Sequence, residues 1–316
     1  MKVLFWLPQS DAASWLHDLA LALPGADVRE WQPGDDGAAD FAVVWRPPRE
    51  LLAPREGLRA IFNLGAGVDA ILAEERARPG TLPRDALLVR LEDSGMARQM
   101  SEYVTHAVLR YQRRFDEYAL AQPQRSWNVL APHPHDTFTV GVLGVGVLGA
   151  QVAHAIAALG VPVRGFSRSD KHLAGIDTYA GELHGPRFDA FLDGVKVLVN
   201  LLPATPDTDN VLNARTFSKL ARGAYLVNVA RGTHLAEQDL LDALADGTLA
   251  AATLDVFRHE PLPPEHPFWR EPRITITPHI SALTLRREAI SQIADKIAAL
   301  SRGEAVSGIV DVKRGY

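Results

Sequence analysis

Short, predominantly apolar runs alternate with stretches of helical period along the whole chain. Val3–Leu7 is the first such run, and Ala42–Trp45, Ala60–Leu64 and Leu87–Val89 repeat it, each ending in glycine, proline or charge. After the first run, Leu16, Leu19, Ala20 and Leu23 fall at offsets of three and four. They predict a helix capped by Ser10 or Asp11 and stopped by Pro24-Gly25. Strands apolar on both faces, separated by helices, predict a parallel sheet covered on both sides. A second series runs through Thr137–Leu143, Val161–Phe166, Lys196–Leu202, Ala224–Val229, Ala250–Leu254 and Ile274–Thr277. Between the series, Met100, Tyr103, Val104, Ala107, Val108 and Tyr111 recur at roughly 3.6-residue spacing and predict one long helix from Gln99 to about Leu120. A final helix is expected over about Leu285–Arg302. The pattern predicts an α/β chain with two doubly wound parallel-sheet domains.

Length agrees, since 316 residues suit two domains of about 150. The chain has no cysteine, which excludes disulfides, thiolate zinc sites and a cysteine nucleophile; no metal site is expected. Basic residues number 33 against 38 acidic ones, a net charge of −5 that gives no support for nucleic acid or an anionic membrane as partner. No run approaches the ~18 apolar residues that span a bilayer. The five apolar residues between Lys2 and Pro8 are too few for a signal-peptide core, so a cytoplasmic protein is expected.

One loop carries a ligand signature. The strand Thr137–Leu143 leads into Gly144-Val145-Gly146-Val147-Leu148-Gly149, followed by Leu148, Val152, Ala155, Ile156 and Leu159 at helical spacing. In a strand–loop–helix context the first glycine permits the turn, the second a close approach of pyrophosphate, and the third tight helix–strand packing. The helix N-terminus adds N–H groups and partial positive charge. Where an NAD site usually carries an acid, about 20 residues on, the chain has Ser167-Arg168-Ser169-Asp170-Lys171, with Ser167 23 residues beyond Gly144. Hydroxyls and two cations suit a 2′-phosphate, so NADP(H) is the preferred coenzyme, with NAD(H) kept open by Asp170.

Polar residues then cluster at later strand ends, where open α/β sheets collect ligands. Arg231 follows one strand, Asp255 and Glu260 another, and His279 the last. An arginine, a carboxylate and a histidine can together reduce a 2-keto acid. Histidine can give the carbonyl a proton near neutral pH, glutamate can orient the ring, and arginine can fork onto a carboxylate. Blander readings stand beside these: Arg231 as a strand cap, Glu260 as a partner of Arg258, His279 as a core histidine. His133, His135, His259 and His266 lack such company and are expected on solvated loops.

These motifs together resemble the D-isomer-specific 2-hydroxyacid dehydrogenase family over almost the full chain. The resemblance rests on Trp45–Pro48, Asn63–Asp69, Arg90–Met96, the glycine loop, Asn200–Pro203, Asn228–Gly232, Asp255–Pro263, Pro267–Trp269 and Thr277–Ala282. It implies a flavodoxin-like substrate domain from residues 1–98 plus 285–316, into which a Rossmann NADP(H)-binding domain, residues 99–284, is inserted. It implies Arg231, Glu260 and His279 as catalytic residues, and substrate contacts from Arg231 and the backbone of Leu64-Gly65-Ala66-Gly67. Met96 and Trp45 join them, with a packing tryptophan the alternative for Trp45. Cofactor contacts are implied at Gly144, Gly146, Val147, Leu148, Gly149, Ser167, Arg168, Ser169, Lys171, Leu202, Pro203, Thr208, Val229, Ala230, Arg231, Asp255 and His279. Asp255 is the family's partner of the nicotinamide carboxamide, or else a turn cap.

The implied reaction is reduction of a small 2-keto acid such as glyoxylate or hydroxypyruvate. The implied assembly is a homodimer, for which Tyr111, Phe115, Tyr118 and Trp127 suit an interface. Two alternatives stay open: a dinucleotide-sensing, corepressor-like module on the same fold, and an NAD-dependent dehydrogenase of another 2-hydroxy acid. Short-chain dehydrogenases are excluded, since no tyrosine has a lysine four residues on.

Overall fold

The computed structural model describes residues 1–8, 11–53, 55 and 57–316. It divides into two compact units, Met1–Gly95 with Thr284–Tyr316, and Met96–Leu283. The division falls at 95/96 and 283/284, slightly before the expected 98/99 and 284/285.

The first unit holds β1 (Lys2–Trp6), α1 (Ala12–Ala22), β2 (Asp27–Glu30), β3 (Phe41–Val44), α2 (Arg49–Leu52), β4 (Ala60–Asn63), α3 (Asp69–Ala77) and β5 (Leu87–Arg90). All pairings are parallel in the order β2-β1-β3-β4-β5, the flavodoxin-like arrangement. β3 and β4 are buried along their whole length, as strands covered on both faces must be. The helix expected after β1 forms, but its buried residues are Trp15 and Leu19, while Ala20 is exposed. Asp11 is the N-cap by position, yet its carboxylate accepts from the Trp15 indole at 3.0 Å instead of capping. Ser10, the other expected cap, lies outside the described residues. The strand β2 (Asp-Val-Arg-Glu) had no apolar signature, because it is an edge strand.

The second unit begins with α4 (Met96–Gln112) and α5 (Phe115–Ala121). The single helix expected from Gln99 is therefore two. Arg114 adopts a left-handed φ of +59°, which ends the first helix, and its guanidinium forks onto Glu117 at 2.6 and 2.8 Å. The expected stripe holds on α4, where Met100, Val104, Ala107, Val108 and Tyr111 are buried.

There follow β6 (Val140–Leu143), α6 (Val147–Ala157), β7 (Val163–Ser167), β8 (Asp177–Ala180), α7 (Pro186–Leu192), β9 (Val197–Asn200), α8 (Ala214–Ser218), β10 (Ala224–Asn228), α9 (Glu237–Ala245), β11 (Leu249–Leu254) and β12 (Ile274–Ile276). β6 starts three residues later than expected, because His135–Thr137 forms a 3-10 turn. The sheet order β12-β11-β10-β9-β6-β7-β8 is that of a Rossmann domain extended by one strand. One apolar cluster, including Phe188, Phe191 and Leu240, covers one face; another, including Val104, Val108, Val152 and Ile156, covers the other. α10 (Arg286–Ser301) belongs to the first unit and packs on α1, with Arg286 Nε 2.9 Å from Asp18.

Three expectations change. Tyr111 is 3% exposed and stacks on Tyr225 with centroids 4.7 Å apart, and the Tyr118 hydroxyl accepts from Leu130 N at 2.8 Å. Tyr111 thus serves packing within the unit, whereas Tyr118 is half-buried and Phe115 and Trp127 are exposed. His133 and His266 do lie on loops with exposed neighbours, but neither ring is fully solvated: that of His133 stands 4.8 Å from that of Tyr111, and His266 Nδ1 accepts from Phe268 N and caps the turn Pro267–Arg270.

Candidate active site

The glycine loop lies at the carboxyl end of β6, where the strand order of the second unit switches from β7 to β9. Two of its glycines answer to the chain itself. Gly144 has φ +93°, and a Cβ there would stand 2.7 Å from Leu201 O; one on Gly149 would stand 2.0 Å from Gly144 O. Gly146 differs, because a Cβ there would meet no atom within 4 Å. Its exposed backbone leads into the start of α6, whose N-terminal amides offer hydrogen bonds and partial positive charge. Leu148 is half-buried on the first turn beside the exposed Val147.

After β7, the Ser167 hydroxyl donates to Ser169 O at 2.8 Å, and Arg168 and Ser169 are exposed. The Lys171 ammonium donates to Val145 O at 2.9 Å, which brings its charge to the glycine loop. These residues fit a dinucleotide with a 2′-phosphate: an open backbone cradle, then cations and hydroxyls at the end of the second strand. Beyond β9, the Leu202 N–H donates to Asn200 Oδ1 at 3.2 Å, which fixes the turn into Pro203. The Thr208 hydroxyl is taken up locally, accepting from Thr205 N and donating to Pro203 O, both at 2.9 Å.

Arg231 follows β10 through buried Val229 and Ala230. Its carbonyl accepts from Asn228 Nδ2 at 3.1 Å, and its Nη1 donates to Ala230 O at 2.7 Å. Asn228 is joined to Asn200 at 3.0 Å, and Asn200 to His234 Nδ1 at 2.8 Å, all fully buried. The next residue, Gly232, abuts the backbone of Phe257, where a Cβ would stand 1.9 Å from the carbonyl carbon. That contact brings the Arg231 loop against the loop that carries Glu260.

Glu260 does not pair with Arg258, which instead bonds Leu235 O and Thr233 O. Its Oε1 accepts from Phe257 N at 3.0 Å, and its Oε2 from His279 Nδ1 at 2.8 Å. Burial pushes this carboxyl up. The His279 hydrogen bond, the Phe257 N–H and the charges of His279 and Arg231 outweigh burial and hold it below the usual glutamate range. Glu260 thus feels both the arginine and the histidine.

His279 has a left-handed φ of +56°, uncommon outside glycine. The completely buried Asp255 holds it there. The Asp255 carbonyl accepts from His279 N, and its carboxylate accepts from Ile280 N and Ser281 N, all at 2.8 Å. Asp255 thus caps this turn, the alternative to the carboxamide contact that the resemblance implies. Its carboxylate also accepts from the Thr277 hydroxyl at 2.5 Å, which itself meets the Tyr103 hydroxyl at 2.6 Å. Tyr103 carried no site signature, because it falls within the apolar stripe of α4. Asn200 and Asn228 were visible only as parts of motifs, since their pairing spans strands.

In the first unit, Trp45 packs over Gly65, where a Cβ would stand 2.4 Å from the ring. Asn63 Nδ2 shapes the loop by donating to Gly65 O and Gly67 O at 2.9 and 2.8 Å. The Leu64 N–H, one of the amides expected to meet substrate, is already bonded to Val44 O at 2.8 Å. Met96 opens α4 in the second unit and is buried.

Fold and site together define an NAD(P)-dependent dehydrogenase of the Rossmann type. The family model described as D-isomer specific 2-hydroxyacid dehydrogenase, NAD binding domain, matches residues 105–281. The chain belongs to the D-isomer specific 2-hydroxyacid dehydrogenases. It is 57% identical to a glyoxylate/hydroxypyruvate reductase A of Serratia proteamaculans and 52% identical to one of Yersinia enterocolitica, each over the full length of both chains. A D-isomer specific 2-hydroxyacid dehydrogenase of Xanthobacter autotrophicus Py2, crystallised with NADPH and MES, superposes with a TM-score of 0.92 at 37% identity. It covers all of this chain and 99% of its own. An NADPH-dependent glyoxylate/hydroxypyruvate reductase of Sinorhizobium meliloti, in complex with NADP and sulfate, gives 0.89 at 34% identity with the same coverage.

Proposed function

We propose that this protein reduces small 2-keto acids, glyoxylate to glycolate and hydroxypyruvate to D-glycerate, with NADPH as the preferred coenzyme. The observation that carries the reading is the Glu260–His279 pair at 2.8 Å with Arg231 acting on the same carboxylate. The named activities of full-length relatives and the NADP(H) held by similar structures support it.

Reduction needs a hydride on the carbonyl carbon, a proton on its oxygen and a counter-charge for the carboxylate. Bound NADPH supplies the hydride. Gly146 and the first turn of α6 would hold the pyrophosphate, with Gly144 and Gly149 allowing the tight turn and helix packing that expose it; Ser167, Arg168, Ser169 and Lys171 would receive the 2′-phosphate. His279 Nδ1 is engaged by Glu260, so Nε2 is the nitrogen that delivers the proton. The adjacent carboxylate stabilises the imidazolium and fixes the plane of the ring. Arg231 forks onto the substrate carboxylate and polarises the ketone.

The reading carries with it a cytoplasmic setting and a homodimeric assembly. Phe115 and Trp127, 52% and 95% exposed, remain as interface aromatics, and sedimentation at micromolar concentration tests that part. The deciding experiment is a panel of 2-keto acids, each tested with NADPH and NADH by nicotinamide absorbance. Turnover of glyoxylate and hydroxypyruvate with higher kcat/KM for NADPH is expected. No turnover of either acid would refute the activity, and an NADH preference would refute the 2′-phosphate assignment.

A further inference from the structure

We propose that Tyr103 is a positioning residue for His279, acting through Thr277 and Asp255. The inference rests on the reading of His279 as the proton donor and adds what holds it. The direction of the chain of hydrogen bonds follows from donor counting. A carboxylate only accepts, so the one hydroxyl proton of Thr277 goes to Asp255 Oδ1, 2.5 Å away. With that proton committed, the contact of 2.6 Å between Tyr103 and Thr277 requires the tyrosine hydroxyl to donate. Tyr103 thereby completes the hydrogen bonding of Thr277, and Thr277 that of Asp255.

Asp255 in turn holds the amides of Ile280 and Ser281, immediately beyond His279, and its carbonyl holds the His279 amide. These bonds keep His279 at φ +56°, a conformation that costs free energy unless its surroundings over-determine it. The half-buried Tyr103 side chain stands on α4, the helix whose apolar stripe packs under the sheet. The loop bearing the proton donor is therefore referenced to the core of the unit. Burial pushes the Tyr103 hydroxyl up to about 12, so it stays a donor throughout the working pH range.

The test uses Tyr103→Phe, Thr277→Val, Thr277→Ser and the Phe/Val double variant of the full chain. Two readouts are taken: kinetics with glyoxylate and NADPH, and hydrogen exchange of the Ile280 and Ser281 amides. A small displacement of a catalytic group costs up to about 100-fold, and a loosened rather than lost group predicts about tenfold in kcat with KM changed less than about twofold. Thr277→Ser, which keeps the hydroxyl, restores kcat to within about twofold of wild type. The double variant loses no more than either single one, because both break one chain. Exchange at Ile280 and Ser281 accelerates in Tyr103→Phe and in Thr277→Val. Unchanged exchange in Tyr103→Phe, or single losses that multiply in the double variant, would overturn the proposal. A failure of the proton-donor reading shows separately, as His279→Gln losing less than about 100-fold in rate, and the exchange measurement still decides whether Tyr103 positions the loop.

Discussion

Replacing Gly149 and Gly146 by alanine, one at a time, separates what the chain requires from what a bound pyrophosphate requires. At Gly149 the added Cβ would stand 2.0 Å from Gly144 O, so α6 must retreat by at least about 1 Å to reach the 3.0 Å that real Cβ contacts respect. The obstacle is backbone, and no rotamer change relieves it. Overpacking of this kind costs about 1–3 kcal/mol. At roughly 2–4 °C per kcal/mol for a domain of this size, the coenzyme-free protein should melt about 2–12 °C lower. At Gly146 the Cβ would meet nothing within 4 Å, and φ −74° with ψ −158° is backbone that alanine adopts. Its melting temperature should stay within about 1 °C of wild type, because no packing is disturbed. The same Cβ enters the space through which the pyrophosphate approaches, so the Kd for NADPH should rise at least about tenfold, or ~1.4 kcal/mol. Thermal melts without coenzyme give the first quantity, and tryptophan fluorescence during NADPH titration gives the second. Gly146→Ala binding NADPH as wild type does, or Gly149→Ala melting at the wild-type temperature, would refute the assignment of the two glycines.

Arg231→Lys keeps a charge beside Glu260 but removes the planar fork. The loss of one charged hydrogen bond, about 1.5–3 kcal/mol, predicts kcat/KM for glyoxylate lower by roughly 10- to 150-fold, with an unchanged circular dichroism spectrum. A loss below about threefold would contradict the role of Arg231. Glu260 predicts a pH dependence of stability. Its folded-state pKa is lowered, so its contribution is complete above the ordinary glutamate range and disappears as pH falls through the lowered value. Urea unfolding between roughly pH 5 and pH 3 should therefore show wild type losing more stability than Glu260→Gln; parallel curves would count against the pair.

Legibility in the sequence followed burial. β9, β10 and β6 are buried at every position and read as strands from their apolar runs alone. β2 and β8 pair on one side only and carry Asp-Val-Arg-Glu and Asp-Thr-Tyr-Ala, so neither apolar continuity nor alternation marks them. The break between α4 and α5 was hidden because Arg114 is a residue type that favours helices, so its left-handed conformation leaves no trace in the apolar spacing. At the site, Arg231, Glu260 and His279 stood out as polar residues after apolar strands within recognisable motifs. The pairing of Glu260 with His279 across 19 residues was expected from the chemistry a keto-acid reduction needs and from the resemblance, not from the spacing of the residues. Tyr103 was less legible still, because a tyrosine in an apolar stripe satisfies the helical period whether or not its hydroxyl has a task.

Two carboxylates flank His279, and their surroundings divide the work between them. Asp255 is completely buried and accepts from uncharged donors of one loop, the Thr277 hydroxyl and the amides of Ile280 and Ser281. Withdrawing any of these would leave a buried lone pair unmet, so the loop conformation is stiffly fixed. The charge state of the imidazole does not enter that set of bonds. Glu260 keeps 29% of its side chain in solvent and grips the ring itself through Nδ1. When Nε2 gives up its proton the ring becomes neutral, yet Nδ1 still carries the hydrogen that Glu260 accepts, so the ring does not swing away. With 39% of its own side chain exposed, His279 can regain a proton from solvent without rebuilding the loop. A module that only sensed dinucleotide would need the glycine cradle but no arrangement that preserves ring orientation through a change of charge. The separation of a fixed, buried carboxylate for the backbone from a solvated one for the ring is what the proposed proton delivery by His279 would require on every turnover.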